Sequence, residues 1–82
     1  MDPHKQVLMK VMLDLAVQQL KAAASEMVGM DLVKKETLYR LALLHEKMGN
    51  QADYVNSLKE IYEADYGYRD VANRVESSYA AG

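Results

Sequence analysis

The sequence predicts an all-α protein, a single domain over residues 1–82 built from four helices, and two observations support this. Apolar residues recur at three- and four-residue steps along most of the 82-residue chain, which is the period of a helix that buries one face. No segment alternates apolar and polar residues with period two, so strands are not expected. The predicted helices cover residues 3–28, 33–48, 51–64 and 69–80.

The first predicted helix is apolar over most of its circumference. Asp2 can accept hydrogen bonds from free backbone N–H groups at its start, and Pro3 is tolerated at the first helical position. One apolar stripe consists of Leu8, Met12, Leu15, Ala16, Leu20, Ala23 and Met27. A second stripe beside it consists of Met9, Leu13, Val17, Ala24 and Val28. A helix of this kind must be covered on more than one side.

Turn-forming residues bound the other three helices. The second helix is expected to begin between Asp31 and Lys34 and to stop at Gly49, which suits a left-handed cap. Asn50 is the expected N-cap of the third helix. Gly67 permits a positive φ and predicts the turn before the last helix. The residues expected to face inward are Leu38, Leu41, Ala42, His45, Met48, Tyr54, Leu58, Ile61, Tyr62, Tyr68, Val71, Val75 and Tyr79.

Composition excludes several classes of function. The chain has no cysteine, which removes disulfides and thiolate metal ligands. Its net charge is −2 and its only adjacent basic pair is Lys34-Lys35, so nucleic acid is not an expected partner. Lys10 and Asp14 interrupt the most apolar segment, so neither a membrane span nor a signal-peptide core is expected. We therefore expect a soluble, cytoplasmic protein without a membrane partner.

His45-Glu46 comes nearest to a catalytic motif. A zinc-protease helix needs a second histidine four residues after the first, and Gly49 occupies that position. No acidic residue stands three or four positions before His45, which removes a di-iron Glu-x-x-His site. The serines lack a histidine at obvious reach, and no glycine-rich phosphate loop is present. No catalytic residue, metal or cofactor is therefore predicted, and His45 is interpreted as a packed, hydrogen-bonded ring.

Small and large residues follow a defined spacing through the second and third helices. The pattern is Leu38-x2-Leu41-Ala42-x2-His45, then Gly49-Asn50, then Leu58. It resembles the tetratricopeptide repeat of about 34 residues, W-x2-L-G-x2-Y…A-x3-F, with Ala42 at the small position. Tyr54 stands where that repeat has a small alanine, so either the packing opens there or the ring points outward.

The flanking helices fit the same resemblance. Ala16-x3-Leu20-x2-Ala23 is similar to the second helix of a preceding repeat, and residues 68–79 resemble the start of a following repeat or a cap. The resemblance implies a right-handed helical-repeat fragment of about one and a half to two repeats. It would contain a long first helix, one full helix-turn-helix repeat and a terminal capping helix.

The resemblance also implies a function. Such repeats act in non-catalytic protein–protein interaction, as adaptors or scaffolds, and bind a partner protein or peptide on a concave face built mainly by first helices. The positions matching that face are Glu36, Tyr39, Leu43, Glu46 and Lys47.

A second expectation follows from the small number of repeats. Repeats stack because none buries its apolar face alone, and about three are normally needed. Self-association, as a homodimer, is therefore expected through the second stripe of the first helix, at Met9, Leu13, Val17 and Val28. Upstream repeats could cover that helix instead. The alternative function is a purely structural homo-oligomerisation module assembled through the first helix.

Overall fold

The structure, a computed structural model, describes residues 3–81, and this part of the chain is all-α, as predicted. Its helices are α1 (Pro3–Glu26), α2 (Leu32–Met48), α3 (Gln51–Ala64) and α4 (Val71–Ala81). No strand occurs in the described range. The predicted N-cap Asp2 lies outside the described residues.

Each helix packs on the next one along the chain. α1 contacts α2, α2 contacts α3, and α3 contacts α4. The body that results is flattened, with extents of 41 × 33 × 17 Å. The buried apolar residues are Val17, Ala24, Leu38, Leu41, Ala42, Tyr54, Leu58, Ile61, Val71 and Val75. Most of them lie on α2 and α3, so the centre of the core is the contact between these two helices.

Both ends of α2 are capped. The side chain of Asp31 accepts a hydrogen bond from the backbone N–H of Lys34 at 2.9 Å, which satisfies a free donor of the first turn. Gly49 adopts a left-handed conformation with φ 81°, as predicted, and this allows the chain to reverse into α3. Asn50 occupies the N-cap position of α3, but its side chain makes no capping hydrogen bond.

Two helix ends lie two residues from the predicted positions, while α2 begins one residue earlier than predicted and α4 ends one residue later. α1 ends at Glu26 rather than at residue 28, because the N–H of Met27 bonds to the carbonyl of Ala24 in a tighter final turn. α4 begins at Val71 rather than at residue 69, because Arg69 has a left-handed φ of 44°. A residue in that region is incompatible with a continuous α-helix. The sequence had indicated Gly67 as the left-handed residue of this turn. In the structure that residue is Arg69.

The sequence predicts that the second apolar stripe of α1 is the exposed one, but α1 is oriented the other way round. Val17 and Ala24, from the second stripe, are buried, while Leu8, Met12 and Leu15, from the first, are exposed. Positions 8 and 15 lie nearly half a turn around the helix from positions 17 and 24. One neighbouring helix can therefore cover only one of the two stripes.

This orientation changes the predicted self-association set. Val17 is a core residue, since only 8% of it is exposed, and it has little area to offer to a second chain. Leu13 is half-buried, while Met9 and Val28 are exposed. On α4, Tyr79 is also exposed, although its spacing predicts an inward position. Tyr54 is buried, so its ring points inward.

Candidate functional site

The five residues matched to a concave face form a row along α2, on the side that does not carry its buried residues. Glu36, Tyr39 and Leu43 are half-buried, while Glu46 and Lys47 are exposed. α4 and the turn before it run beside this row. As a result, Glu36, Tyr39 and Glu46 bind residues 68–74 of their own chain, which the sequence did not predict.

Glu36 anchors the turn between α3 and α4. The hydroxyl of Tyr68 donates to Glu36 Oε2, and Arg69 Nη2 donates to the same oxygen at 2.9 Å. Arg40, one turn along α2, donates to the other carboxylate oxygen at 3.3 Å. The Tyr68 hydrogen bond is the main cause that lowers the pKa of Glu36, and the two arginines lower it further. Glu36 is thus a carboxylate that holds a tyrosine and an arginine in fixed positions.

Tyr39 follows Glu36 in the row along α2. Its hydroxyl donates to Asp70 Oδ1 at 2.6 Å, and its ring meets that of Tyr68 edge to face, with centroids 6.2 Å apart. The guanidinium of Arg69 lies 5.3 Å from the centre of the Tyr39 ring, within cation–π range. Burial and the bond to Asp70 raise the pKa of Tyr39, while the Tyr39 hydroxyl and Arg74 lower the pKa of Asp70.

Arg74 joins three of the helices. Its Nε donates to Asp70 Oδ2 at 2.9 Å, and its Nη1 donates to the hydroxyl of the buried Tyr54 at 3.0 Å. Nη1 also approaches Glu46 Oε1 at 3.5 Å. The hydrogen bond to Tyr54 is the main cause that raises the pKa of Arg74. The residues linked in this way, named here the tyrosine–arginine cluster, are Glu36, Tyr39, Tyr54, Tyr68, Arg69, Asp70 and Arg74.

A shallow cavity of about 330 Å³ opens beside this cluster. It lies where α2, α3 and α4 meet, and it is lined by Glu46, Gln51, Tyr54, Asn73, Arg74, Ser77 and Ser78. Its lining offers both hydrogen-bond donors and acceptors. The sequence did not predict the residues that α4 contributes to this lining. The spacing of Asp70 and Arg74, four residues apart, indicated a charged helix face. It did not indicate that this face lies beside α2.

A second and larger cavity lies on the other side of α2, between α1 and α3. Its volume is about 540 Å³, and Leu38, Leu41 and His45 of α2 are among its lining residues. Charged side chains of both signs also line it, including Lys21 of α1 and Asp53 of α3. Leu38 and Leu41 are almost completely buried, so these two side chains present little of their own surface to the cavity.

His45 is part of the core, with 2% of its surface exposed. Its Nδ1 atom is buried and has no hydrogen-bond partner among residues 3–81, so the hydrogen bond expected for this ring is not present at that atom. Burial is the main cause that lowers the pKa of His45, Lys21 lowers it further, and Asp53 acts in the opposite direction. The neutral ring is therefore the form compatible with the folded state.

The buried His45 predicts a pH-dependent stability. Below about pH 6.5 the His45 side chain binds a proton in the unfolded chain. In the folded chain, burial of the ring disfavours the same protonation. The free energy of unfolding should therefore fall as the pH decreases, by at most about 1.4 kcal/mol per pH unit from this residue. We expect urea unfolding between pH 7.5 and 5.5 to show this fall in the wild type and a smaller one in His45→Gln.

Gln19→Asn provides the control for this prediction. It changes an exposed residue of α1 and removes no titratable group, so this variant should keep the wild-type pH dependence. Equal slopes for the wild type and His45→Gln would contradict the role given to the buried ring.

The remaining observations concern metals, membranes and relatives. Residues 3–81 contain no group of three or more histidine, cysteine or acidic residues placed to hold a metal ion. Within the same range, no helix has the length and apolarity that crossing a membrane requires. A scan against protein-family models, a search of curated proteins and a search of solved structures each gave no match.

Proposed function

We propose that this chain is a non-catalytic protein-interaction module that binds a helix or extended peptide of a partner protein along α2 and α4. The supporting observation is the tyrosine–arginine cluster, whose half-exposed rings and guanidinium groups are fixed by hydrogen bonds on one face. The tetratricopeptide-like arrangement belongs to the same proposal. It is supported by the packing of each helix on the next and by the complete burial of Ala42 and Leu58 between α2 and α3.

The chemistry of the cluster suits protein recognition. Tyrosine and arginine are the residues, with tryptophan, that most often dominate binding energy at interfaces. Side chains that are already ordered lose less conformational entropy when a partner binds. Here Glu36 fixes Tyr68 and Arg69, and Asp70 fixes Tyr39 and Arg74. The cluster is thus prepared for contact before a partner arrives.

The other residues of the row supply shape and orientation. Leu43 follows Tyr39 by one helical turn and is half-buried, which gives the surface an apolar centre. Glu46 and Lys47 are exposed at its end and carry opposite charges, so they would set the direction of a bound segment more than its affinity. The cavity of about 330 Å³ beside Glu46 and Arg74 is a place for one polar side chain of the partner.

A photo-crosslinking experiment tests this proposal. The photoreactive amino acid p-benzoylphenylalanine is introduced at position 43 or, as the control, at the exposed position 63 of α3, and the protein is irradiated in cells of its source organism. We expect a discrete heterologous crosslink from position 43 and none from position 63. Mass spectrometry then identifies the partner, which is purified and titrated.

The titration uses matched variants. Leu43→Asp should weaken binding of the purified partner by about tenfold or more, and Lys47→Glu by a smaller factor. Glu63→Lys should leave the affinity unchanged. Circular dichroism checks that each variant is folded. Glu63 lines the cavity between α1 and α3. A crosslink at position 63 without one at position 43 would therefore place the partner at that cavity and would contradict the proposal.

A further inference from the structure

The first half of α1 contains no buried residue in the part of the chain that the structure describes. Every residue from 3 to 12 is exposed, and the buried residues of α1 are Val17 and Ala24, both in its second half. Apolar side chains that stay in water contribute no burial energy to the fold. The exposed apolar residues of this segment are therefore a candidate contact surface.

The exposed apolar residues gather on one side of the helix. They are Val7, Leu8, Val11, Met12 and Leu15, and their exposed fractions run from 47% for Val11 to 64% for Val7. At 100° per residue these positions span an arc of about 140°. The arc points away from Val17 and Ala24, so α2 does not reach it. We name these five residues the outer face of α1.

The spacing within the outer face is that of a helix–helix seam. Leu8, Val11 and Leu15 follow one another at steps of three and four residues, the spacing that places side chains along one line facing a second helix. The next positions in the same register are Gln18 and Ala22. The apolar seam therefore ends after about two turns, which sets the length of a matching helix.

We infer that a second copy of this chain covers the outer face of α1, as an antiparallel pair of α1 helices around a two-fold axis near Val11. The face contains no charged residue, so a symmetric pairing buries no charge. Leu8 of one copy would then lie near Leu15 of the other, which is the self-complementarity that a two-fold interface requires.

The exposed area is sufficient for such a dimer. The five side chains together expose on the order of 500 Å² of apolar surface, near the upper limit for the largest patch on a monomer. Two copies would bury on the order of 1,000 Å² through these residues alone, which reaches the size of a specific interface.

This inference replaces most of the self-association surface expected from the sequence, since Val17 belongs to the core and Leu13 is half-buried. It is independent of the proposed function. The outer face of α1 and the tyrosine–arginine cluster lie on different helices, so a partner can bind α2 and α4 whether or not α1 is paired.

Sedimentation velocity of the full chain between 1 and 200 µM tests the inference. We expect the wild type to be a dimer at the upper concentrations and Leu8→Glu/Leu15→Glu to be a monomer throughout, with dimer affinity reduced by at least about 100-fold. The matched control is Leu32→Glu/Val33→Glu, which charges two exposed apolar residues at the start of α2 and should leave the dimer intact. A monomeric wild type at 200 µM, or an unchanged dimer in the α1 variant, would overturn the inference.

A crosslinking measurement gives a second and independent result. The chain has no cysteine, so one introduced thiol reports a single contact. Under mild oxidation Val11→Cys should form a disulfide between two copies, because position 11 lies near the axis. Val33→Cys, which is also exposed but lies on α2, should not. Equal disulfide yields for the two variants would overturn the antiparallel pairing. This test does not depend on whether the Leu8→Glu/Leu15→Glu variant folds.

Discussion

Replacement of Leu58 by alanine is expected to lower the free energy of unfolding by about 2–5 kcal/mol. Leu58 is completely buried, at the contact of α2 and α3 that forms the centre of the core. Its truncation removes apolar contacts and leaves a cavity that the neighbouring helices fill only in part. A domain of this size has a total stability of about 5–10 kcal/mol. The variant should therefore unfold at a much lower urea concentration than the wild type.

Leu32→Ala is the matched control, because the substitution is identical but Leu32 is 67% exposed. We expect its effect on the unfolding free energy to stay within about 0.5 kcal/mol. Both variants are measured at a few micromolar, so that association through α1 contributes little. Similar losses in the two variants would mean that the α2–α3 contact is not the centre of the core.

The sequence was sufficient for the parts of the fold that local rules govern. The helical period identified all four helices, and Gly49 marked the turn between α2 and α3 because its left-handed conformation is a local property. The inward positions of Leu38, Ala42 and Leu58 also followed from spacing. The start of α4 was misplaced because an arginine, not the nearby glycine, adopts the left-handed conformation there.

The orientation of α1 was not available from the sequence. Its two stripes are about equally apolar, and nothing local decides which of them meets α2. The choice depends on the path of residues 27–31 and on which α1 side chains fit between those of α2. The structure selects Val17 and Ala24, which leaves Leu8 and Leu15 exposed on the opposite side.

The candidate site was also predicted only in part. The row on α2 follows from the repeat resemblance, but its partners lie in the turn before α4 and on α4 itself, about thirty residues further along the chain. Whether Asp70 reaches Tyr39 and Arg74 reaches Tyr54 depends on how the chain turns at residues 65–70. Paired charges in the sequence showed a polar helix face, and only the fold placed that face beside α2.

The two surfaces differ in chemistry, which agrees with the different roles proposed for them. The tyrosine–arginine cluster is polar, hydrogen-bonded and half-exposed, properties that suit a partner which binds and leaves. The outer face of α1 is uncharged and apolar, which suits the pairing of two copies proposed for it. One chain would thus combine a pairing surface with a separate recognition surface, and each surface can be altered without changing the other.

Ala42→Leu is expected to destabilise the fold by about 1–3 kcal/mol, or by more where the helices are held too rigidly to separate. Ala42 has no exposed surface, since α2 packs closely on its neighbours at this point. A leucine side chain adds three carbon atoms where the packing leaves no space for them. Thermal unfolding followed by circular dichroism should show a lower Tm, and urea unfolding gives the free-energy change.

Ala52→Leu is the matched control, because Ala52 lies in α3 and is exposed. Alanine and leucine have similar helix propensities, so the larger side chain at that position should change the unfolding free energy by less than about 0.5 kcal/mol. A destabilisation confined to position 42 would mean that α2 requires a small residue where it approaches its neighbours. Equal stability of the two variants would mean that the helices have room to move apart, and it would remove the packing argument on which the repeat resemblance depends.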